Sequence, residues 1–212
     1  TEARAYFARF DVDRAELMRN FQMAGAPTDQ TIAAETLGLN ASQRTLITIS
    51  DVAGQASYWN LPIADLKRVD IFLDKTSLSY AELDALLTFS FIDPADNLFI
   101  KHLDLSCDLA KKEIVGLDNA ALDRMHRLLR LQKVTGWPLA IVNEIASQPG
   151  LGAGTLNDAA LGIAATLQRL STATGIKLNE LVGCYGTLPA ELYASIFLNK
   201  ARNGVIDPAL EP

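Results

Sequence analysis

The sequence has few of the residues that build reactive centres, metal sites or disulfide frameworks. Its 212 residues include two cysteines, Cys107 and Cys184, and two histidines, His102 and His126. Two cysteines allow one disulfide at most, and free cysteine is usually buried, so we expect two reduced and mostly buried thiols. A zinc site needs more ligands than these, and no CxxC or HxxxH pair completes a set. We therefore predict no metal site and no cofactor.

Positive charge and long apolar runs are also scarce. The formal net charge is -6, whereas proteins that bind DNA or RNA usually carry a basic balance, so we predict no nucleic-acid partner. No apolar run approaches the roughly 20 residues that span a bilayer, and no signal peptide opens the chain. The first residues already look helical. We expect residues 1–212 to be one soluble helical region, cut from a longer chain.

Helical periodicity and helix-capping residues dominate what is present. Thr28, Asn40 and Asp118 are suited to cap helices, and Ser79 with Glu82 three residues later forms a capping-box pattern. Thr155 with Asp158 three residues later resembles a capping box with aspartate in place of glutamate. A helix beginning at Pro62 is predicted, and residues 54–62 are predicted to be a loop. The other predicted helices cover residues 3–10, 13–24, 28–39, 40–49, 79–92, 118–135, 138–148, 155–173, 177–185 and 190–199.

Two segments depart from the helical rhythm. Residues 98–116 alternate apolar with polar side chains, which predicts a short two-stranded hairpin. The fold class is therefore all-α with a small β-hairpin. The glycine-rich residues 148–155 could form a hinge, but loop-length statistics favour an ordinary long loop. They lack the lysine and the preceding strand of a phosphate-binding P-loop.

The most unusual stretch is DRMHRLLRLQKVTGW, residues 123–137. On a helical wheel, apolar side chains share one face, and basic side chains together with His126 occupy the other. We interpret it as an amphipathic helix whose basic face meets solvent or a partner, with Asp123 paired to Arg127 four residues later. The candidate docking residues are Arg124, Arg127, Arg130 and Lys133.

Catalytic and ligand-binding interpretations of this stretch have weaker support. A hydrolase that uses His126 would need a nucleophile and an orienting acid, and no G-x-S-x-G or Cys–His pattern supplies them. A local net charge of about +3 without interleaved exposed aromatics is a weak phosphate-binding signal. Trp59 and Trp137 could stack on a ligand, but large aromatics more often anchor packing.

Three segments together resemble a known family: FLDKTSLSYAELDALLTFSFIDP, LDLSCDLAKKEIVGLDNAALDRMHRLLRLQKVTGWPLAIVNEI and LPAELYASIFLNK. They are similar to the A component of bacterial insecticidal toxin complexes (Tc toxins) and to the related Salmonella virulence-plasmid A-type proteins. The resemblance covers roughly residues 14–203. Its signature here consists of Cys107, Asp108, Asp123, Arg124, Arg127, Arg130, Leu131, Gly136 and Trp137. The chain departs from the family pattern at residues 132–135.

The resemblance implies a role in toxin delivery. A components are very long chains that assemble as pentamers, bind the target cell, form a translocation channel and pass on a toxic enzyme carried by B and C components. The matched segment would belong to the helical shell around that channel in a secreted or cell-surface toxin. We therefore expect a non-catalytic structural segment that contacts other domains of its own chain. A helical receptor- or partner-binding module is the alternative, and a hydrolase using His126 is a remote one.

Overall fold

A computed structural model of the chain describes residues 2–24 and 26–185. Within those residues the chain forms twelve α-helices and one antiparallel pair of strands, which confirms the predicted fold class. The predicted helix at 190–199 lies outside the described residues. No helix in the described part of the chain is long and apolar enough to cross a membrane.

Eight helices precede the strands, and four follow them. The first eight are α1 (Glu2–Ala8), α2 (Arg14–Asn20), α3 (Asp29–Thr36), α4 (Ala41–Thr48), α5 (Gln55–Trp59), α6 (Ile63–Leu66), α7 (Val69–Thr76) and α8 (Tyr80–Leu87). The strands are β1 (Phe99–His102) and β2 (Lys112–Val115), and a 3-10 turn at Leu109–Lys111 lies between them. The last four are α9 (Asn119–Thr135), α10 (Leu139–Ser147), α11 (Asp158–Thr174) and α12 (Leu178–Gly183).

Local capping chemistry sets most helix ends. The side chains of Thr28, Asn40 and Asp118 accept hydrogen bonds from backbone amides of α3, α4 and α9, as predicted. Ser79 and Glu82 form both hydrogen bonds of the predicted capping box at α8. Gly136 ends α9 with φ 70°, a left-handed conformation that glycine adopts without steric strain.

The predicted hairpin is present within residues 98–116. Phe99 pairs with Val115 and His102 with Lys112 in an antiparallel register. The hairpin lies against α7 and α8, because β2 contacts α7 and β1 contacts α8. Lys112 is almost buried, and its ammonium group lies 4.2 Å from the centroid of the Tyr80 ring. This cation–π contact ties the hairpin to the start of α8.

One continuous core holds helices α3 to α12 together. Helix α9 packs against α4, α5 and α10, while α11 packs against α3, α10 and α12. Side chains from α7, α8 and α9 contribute fully buried members such as Phe72, Leu86 and Met125. The two longest helices are therefore central elements, each covered by shorter helices on more than one side.

Three sequence-based predictions of local structure were wrong. The single helix predicted from Pro62 through Leu73 is interrupted at residues 67–68 and forms α6 and α7. Residues 55–59, predicted to be loop, form α5, whose side chains Gln55 and Trp59 are buried against the core. The cap of α11 is Asn157 rather than Thr155: Asn157 accepts from the backbone of Ala160, whereas the Thr155 hydroxyl donates to the carbonyl of Gly152. The burial of Gln55 depends on α9, which is distant in sequence, whereas both contacts at the start of α11 lie within three residues.

Residues 148–155 form a packed loop closed by backbone hydrogen bonds. The amides of Gly152 and Gly154 donate to the carbonyls of Ile145 and Ala146, each at 2.8 Å. A Cβ atom on Gly152 would lie 2.5 Å from the Thr155 carbonyl oxygen, so a larger residue would not fit. Leu151 is 7% exposed and belongs to the core. The loop is thus tied to the end of α10.

Candidate functional site on helix α9

Part of the polar face of α9 is covered by protein rather than exposed to solvent. Eight of its 17 residues are buried, and they include Asp123, His126 and Arg127 as well as the predicted apolar side chains. The prediction that His126 and Arg127 lie on an outward basic face was therefore wrong. The reason is tertiary: α4 and α5 pack over this face, and a helical wheel of α9 alone contains no information about them.

Asp123 is the acceptor at the centre of this face. Its carboxylate accepts from the Ser50 hydroxyl at 2.9 Å, from the backbone amide of Asp51 at 2.9 Å and from the Gln55 amide at 3.3 Å. The Arg127 guanidinium donates to it at 3.4 Å, which confirms the predicted pair. With only 3% of its surface exposed, Asp123 keeps its charge hydrogen-bonded on both oxygens, as a buried carboxylate requires.

Arg127 connects three separate elements. Its Nε donates to the Ile47 carbonyl at 2.6 Å, and an Nη donates to the Leu156 carbonyl. Ile47 lies in the last turn of α4, where carbonyls lack partners within the helix and a cation is favourable. Leu156 directly precedes the cap of α11. Arg127 and Asp123 therefore join α9 to the end of α4, the following segment and the start of α11; we call this pair the α9 clamp.

One partner of the α9 clamp, Gln55, comes from the segment predicted to be a loop. Gln55 is 1% exposed; its amide nitrogen also donates to the Asp51 carbonyl at 2.7 Å, and its amide oxygen accepts from the Trp59 indole at 3.1 Å. In the part of the chain that the structure describes, no buried side-chain nitrogen or oxygen lacks a hydrogen-bond partner. The spacing of Gln55 and Trp59, four residues apart, was the signal that could have indicated a helical turn here.

His126 lies between aromatic rings and an arginine. Its ring stacks on Tyr58 with centroids 4.8 Å apart, lies 6.3 Å from Trp59, and accepts a hydrogen bond at Nε2 from Arg130. Burial, followed by the charge of Arg130, lowers the pKa of His126 from 6.5 to about 4. The hydrogen bond that Tyr58 donates to Asp51 raises the pKa of the Tyr58 phenol.

This geometry lends no support to a hydrolase that uses His126. Among residues 2–24 and 26–185, no hydroxyl, thiol or carboxylate hydrogen-bonds to its ring. An efficient general base has a pKa near the working pH and a free nitrogen, whereas this ring has a pKa of about 4 and an arginine on Nε2. A surface pocket of about 340 Å³ borders Asp123, Arg124 and Arg127, but His126 does not line it.

The remaining candidate docking residues differ in exposure. Arg124 and Arg130 are partly exposed, and Arg124 donates through Nε to the Ile92 carbonyl at 2.8 Å. Lys133 is exposed in the last turn of α9. Of the four predicted docking residues, Arg127 is thus excluded by burial, and Lys133 is the one that is exposed rather than partly buried. Contact of Arg124, Arg130 or Lys133 with a partner stays a prediction.

The other signature residues have local structural roles. Asp108 caps the 3-10 turn before β2 by accepting from the backbone of Ala110 at 2.9 Å. Trp137 is 9% exposed and donates from its indole to Gln168 of α11 at 3.1 Å, which fits the predicted packing at the α9–α10 corner. Cys107 and Cys184 are both exposed, so the prediction of buried thiols was wrong.

The described residues offer no candidate metal site, and comparison with known proteins identifies no relative. The described residues contain no group of three or more histidine, cysteine or acidic side chains that could hold a metal ion. Comparison of the chain with protein-family models, with curated proteins and with solved structures found no match. The likeness to toxin-complex A components accordingly rests on the sequence segments alone.

Proposed function

We propose that this chain is a non-catalytic helical segment of a toxin-complex A-like protein, within the shell that surrounds its translocation channel. The observation that carries the proposal is the α9 clamp. Asp123 and Arg127, which belong to the sequence signature, direct their polar groups to internal contacts. A segment whose most distinctive charged residues join its own helices is suited to a scaffold.

The roles of the other signature residues support the same proposal. Gly136 and Trp137 set the corner between α9 and α10, and Asp108 sets the turn that leads into β2. Each of these residues shapes the backbone path or fills a helix junction. A shell segment that binds no substrate would still need these residues to keep its shape, because protein interiors are close-packed and tolerate few changes.

The experiment that tests the proposal is recovery of the complete reading frame that contains these 212 residues, followed by electron microscopy of the purified full-length product. The expected result is a very long chain that assembles as a homopentamer around a central channel, encoded beside B- and C-type components, and that is secreted or displayed on the cell surface. A full-length product that forms no pentamer and no channel would overturn the proposal.

A partner-binding module is the second candidate, because Lys133 is exposed on α9. The test is charge reversal, Lys133→Glu, in the full-length protein, with Lys75→Glu in the last turn of α7 as the matched control. Under this candidate, Lys133→Glu weakens assembly or cell binding and Lys75→Glu does not. If both variants assemble and bind cells as the unmodified protein does, the partner-binding function is refuted.

A further inference from the structure

A pocket near the start of the described chain has an unusual set of lining residues. Its volume is about 440 Å³, and it lies between the first four helices. Three arginines line it, Arg4 of α1, Arg14 of α2 and Arg44 of α4, together with one acidic residue, Glu35 of α3. Three positive side chains against one negative side chain give the lining a positive charge, although the whole chain carries -6.

The acceptor atoms of Glu35 are already occupied. Its Oε1 accepts from Arg4 Nε at 2.6 Å, and its Oε2 accepts from Arg4 Nη2 at 2.9 Å and from Arg14 Nη1 at 2.8 Å. Burial raises the pKa of Glu35, but hydrogen bonds and charges from the two arginines outweigh burial and lower it overall. The carboxylate is therefore ionised at neutral pH and serves to position Arg4 and Arg14.

Two of the arginines keep donor groups that the described residues do not use. Arg14 donates to Glu35 through Nη1 alone. Arg44 donates through Nε and Nη2 to both carboxylate oxygens of Asp158, each at 2.6 Å, which leaves its Nη1 without a hydrogen-bond partner among residues 2–24 and 26–185. Asp158 offsets part of the charge of Arg44 and also holds that side chain at the pocket.

The capping box of α4 contributes further donors to the lining. Asn40 accepts from the Gln43 backbone at 2.8 Å, and the side-chain oxygen of Gln43 accepts from the Asn40 backbone at 2.9 Å. Each amide oxygen already accepts one hydrogen bond, whereas neither NH₂ group donates to any described residue, and NH₂ groups only donate. Both residues line the pocket. Its free side-chain amide and guanidinium groups are thus donors.

We infer that this pocket binds a phosphate-type oxyanion between Arg14 and Arg44. Guanidinium groups form paired, charge-assisted hydrogen bonds with phosphate, and the amino-terminal end of α4 adds a favourable dipole. The volume lies within the roughly 300–1,000 Å³ of small-molecule sites, so it accommodates either free phosphate or the phosphate group of a small ester. The inference is independent of the proposed shell function.

Calorimetric titration of the 212-residue chain tests the inference. The probes are inorganic phosphate and glycerol 3-phosphate, each at constant ionic strength set with sodium chloride. The expected result is saturable binding of one ligand per chain, weakened at least about tenfold by Arg14→Gln. The matched control is Arg9→Gln, because Arg9 is exposed, follows α1 directly and does not line the pocket. We expect this control to bind like the unmodified chain.

Backbone amide chemical shifts locate the ligand without any substitution. On titration with phosphate, the amides of Asn40 and Ala41 at the start of α4 should move, and those of α9 should not. Tighter binding of glycerol 3-phosphate assigns the site to an ester, and equal binding assigns it to the free ion. Absence of saturable binding to both probes, equal weakening by Arg9→Gln and Arg14→Gln, or shifts confined to helices that do not line the pocket would each overturn the inference.

Discussion

Replacement of Arg127 by methionine should strongly destabilise the fold. Methionine fills much of the same space, but it removes every donor that Arg127 directs to Ile47, Leu156 and Asp123. Asp123 then remains as a buried charge that has lost its cation. Removal of one partner of a buried ion pair typically costs about 3–5 kcal/mol. Unsatisfied buried carbonyls cost about 1–3 kcal/mol each, although local rearrangement admits water to some of them.

We therefore expect Arg127→Met to lower the free energy of unfolding by about 3–5 kcal/mol, which is a large part of the roughly 5–15 kcal/mol of a typical domain. The assay is urea unfolding followed by far-ultraviolet circular dichroism at neutral pH. Lys133→Met is the matched control, because Lys133 lies on the same helix and is exposed. Exposed substitutions usually change stability by less than about 0.5 kcal/mol.

The reasoning behind this magnitude would be refuted by a small effect. A loss below about 1 kcal/mol for Arg127→Met would mean that the α9 clamp contributes little more than an exposed ion pair. An equal loss for Lys133→Met would mean that any positive charge on α9 matters, whatever its burial. Either result would refute the structural role assigned to the α9 clamp.

Three further predictions concern pH and helix ends. The pKa of His126 falls from 6.5 to about 4 on folding, so the unfolded chain binds a proton at a higher pH than the folded chain does. The free energy of unfolding should therefore decline by up to about 3 kcal/mol as the pH falls from about 6.5 to 4. Urea unfolding midpoints measured across this pH range should fall less steeply for His126→Gln. Gly136→Ala should cost about 1–2 kcal/mol because φ is 70°, whereas Gly162→Ala, inside α11 with open space for a Cβ, should raise the melting temperature. Ser79→Ala should cost about 1 kcal/mol in urea unfolding through loss of the α8 capping box, and no change would contradict that role.

Sequence patterns predicted those parts of the fold that short-range interactions decide. A capping side chain and the amide it binds lie within three residues, so Asn40, Ser79 and Asp118 could be recognised directly. The end of α9 at Gly136 was predictable for a similar reason, since glycine adopts the left-handed conformation without steric strain. The hairpin was predictable from alternating polarity within one segment.

The environment of the α9 clamp was not predictable, because contacts distant in sequence create it. Arg127 contacts Ile47, which is 80 positions away, and Asp123 contacts Ser50, which is 73 positions away. A helical wheel places Arg127 correctly opposite the apolar face, but it cannot indicate that α4 and α5 cover that side. The same limitation explains why Gln55 was assigned to a loop although it is buried beside Asp123.

The arginine pocket illustrates a second limitation of sequence patterns. Arg4, Arg14 and Arg44 are separated by ten or more residues, and no short motif connects them. Their convergence depends on the packing of α1, α2 and α4 around Glu35 of α3. The most basic stretch of the sequence is instead α9, where burial and internal hydrogen bonds engage much of the charge. Local charge density alone therefore singles out α9 and gives no indication of the helices that line this pocket.

The measurement that most directly tests the central claim is a double-mutant cycle between Asp123 and Arg127. The claim is that these two residues act as one internal clamp and that neither serves chemistry or docking. Urea unfolding of Asp123→Ala, Arg127→Met and the combined variant gives their coupling energy. We predict a coupling of about 2 kcal/mol, within the range of contacting buried pairs. Additive losses, to within about 0.5 kcal/mol, would contradict the claim.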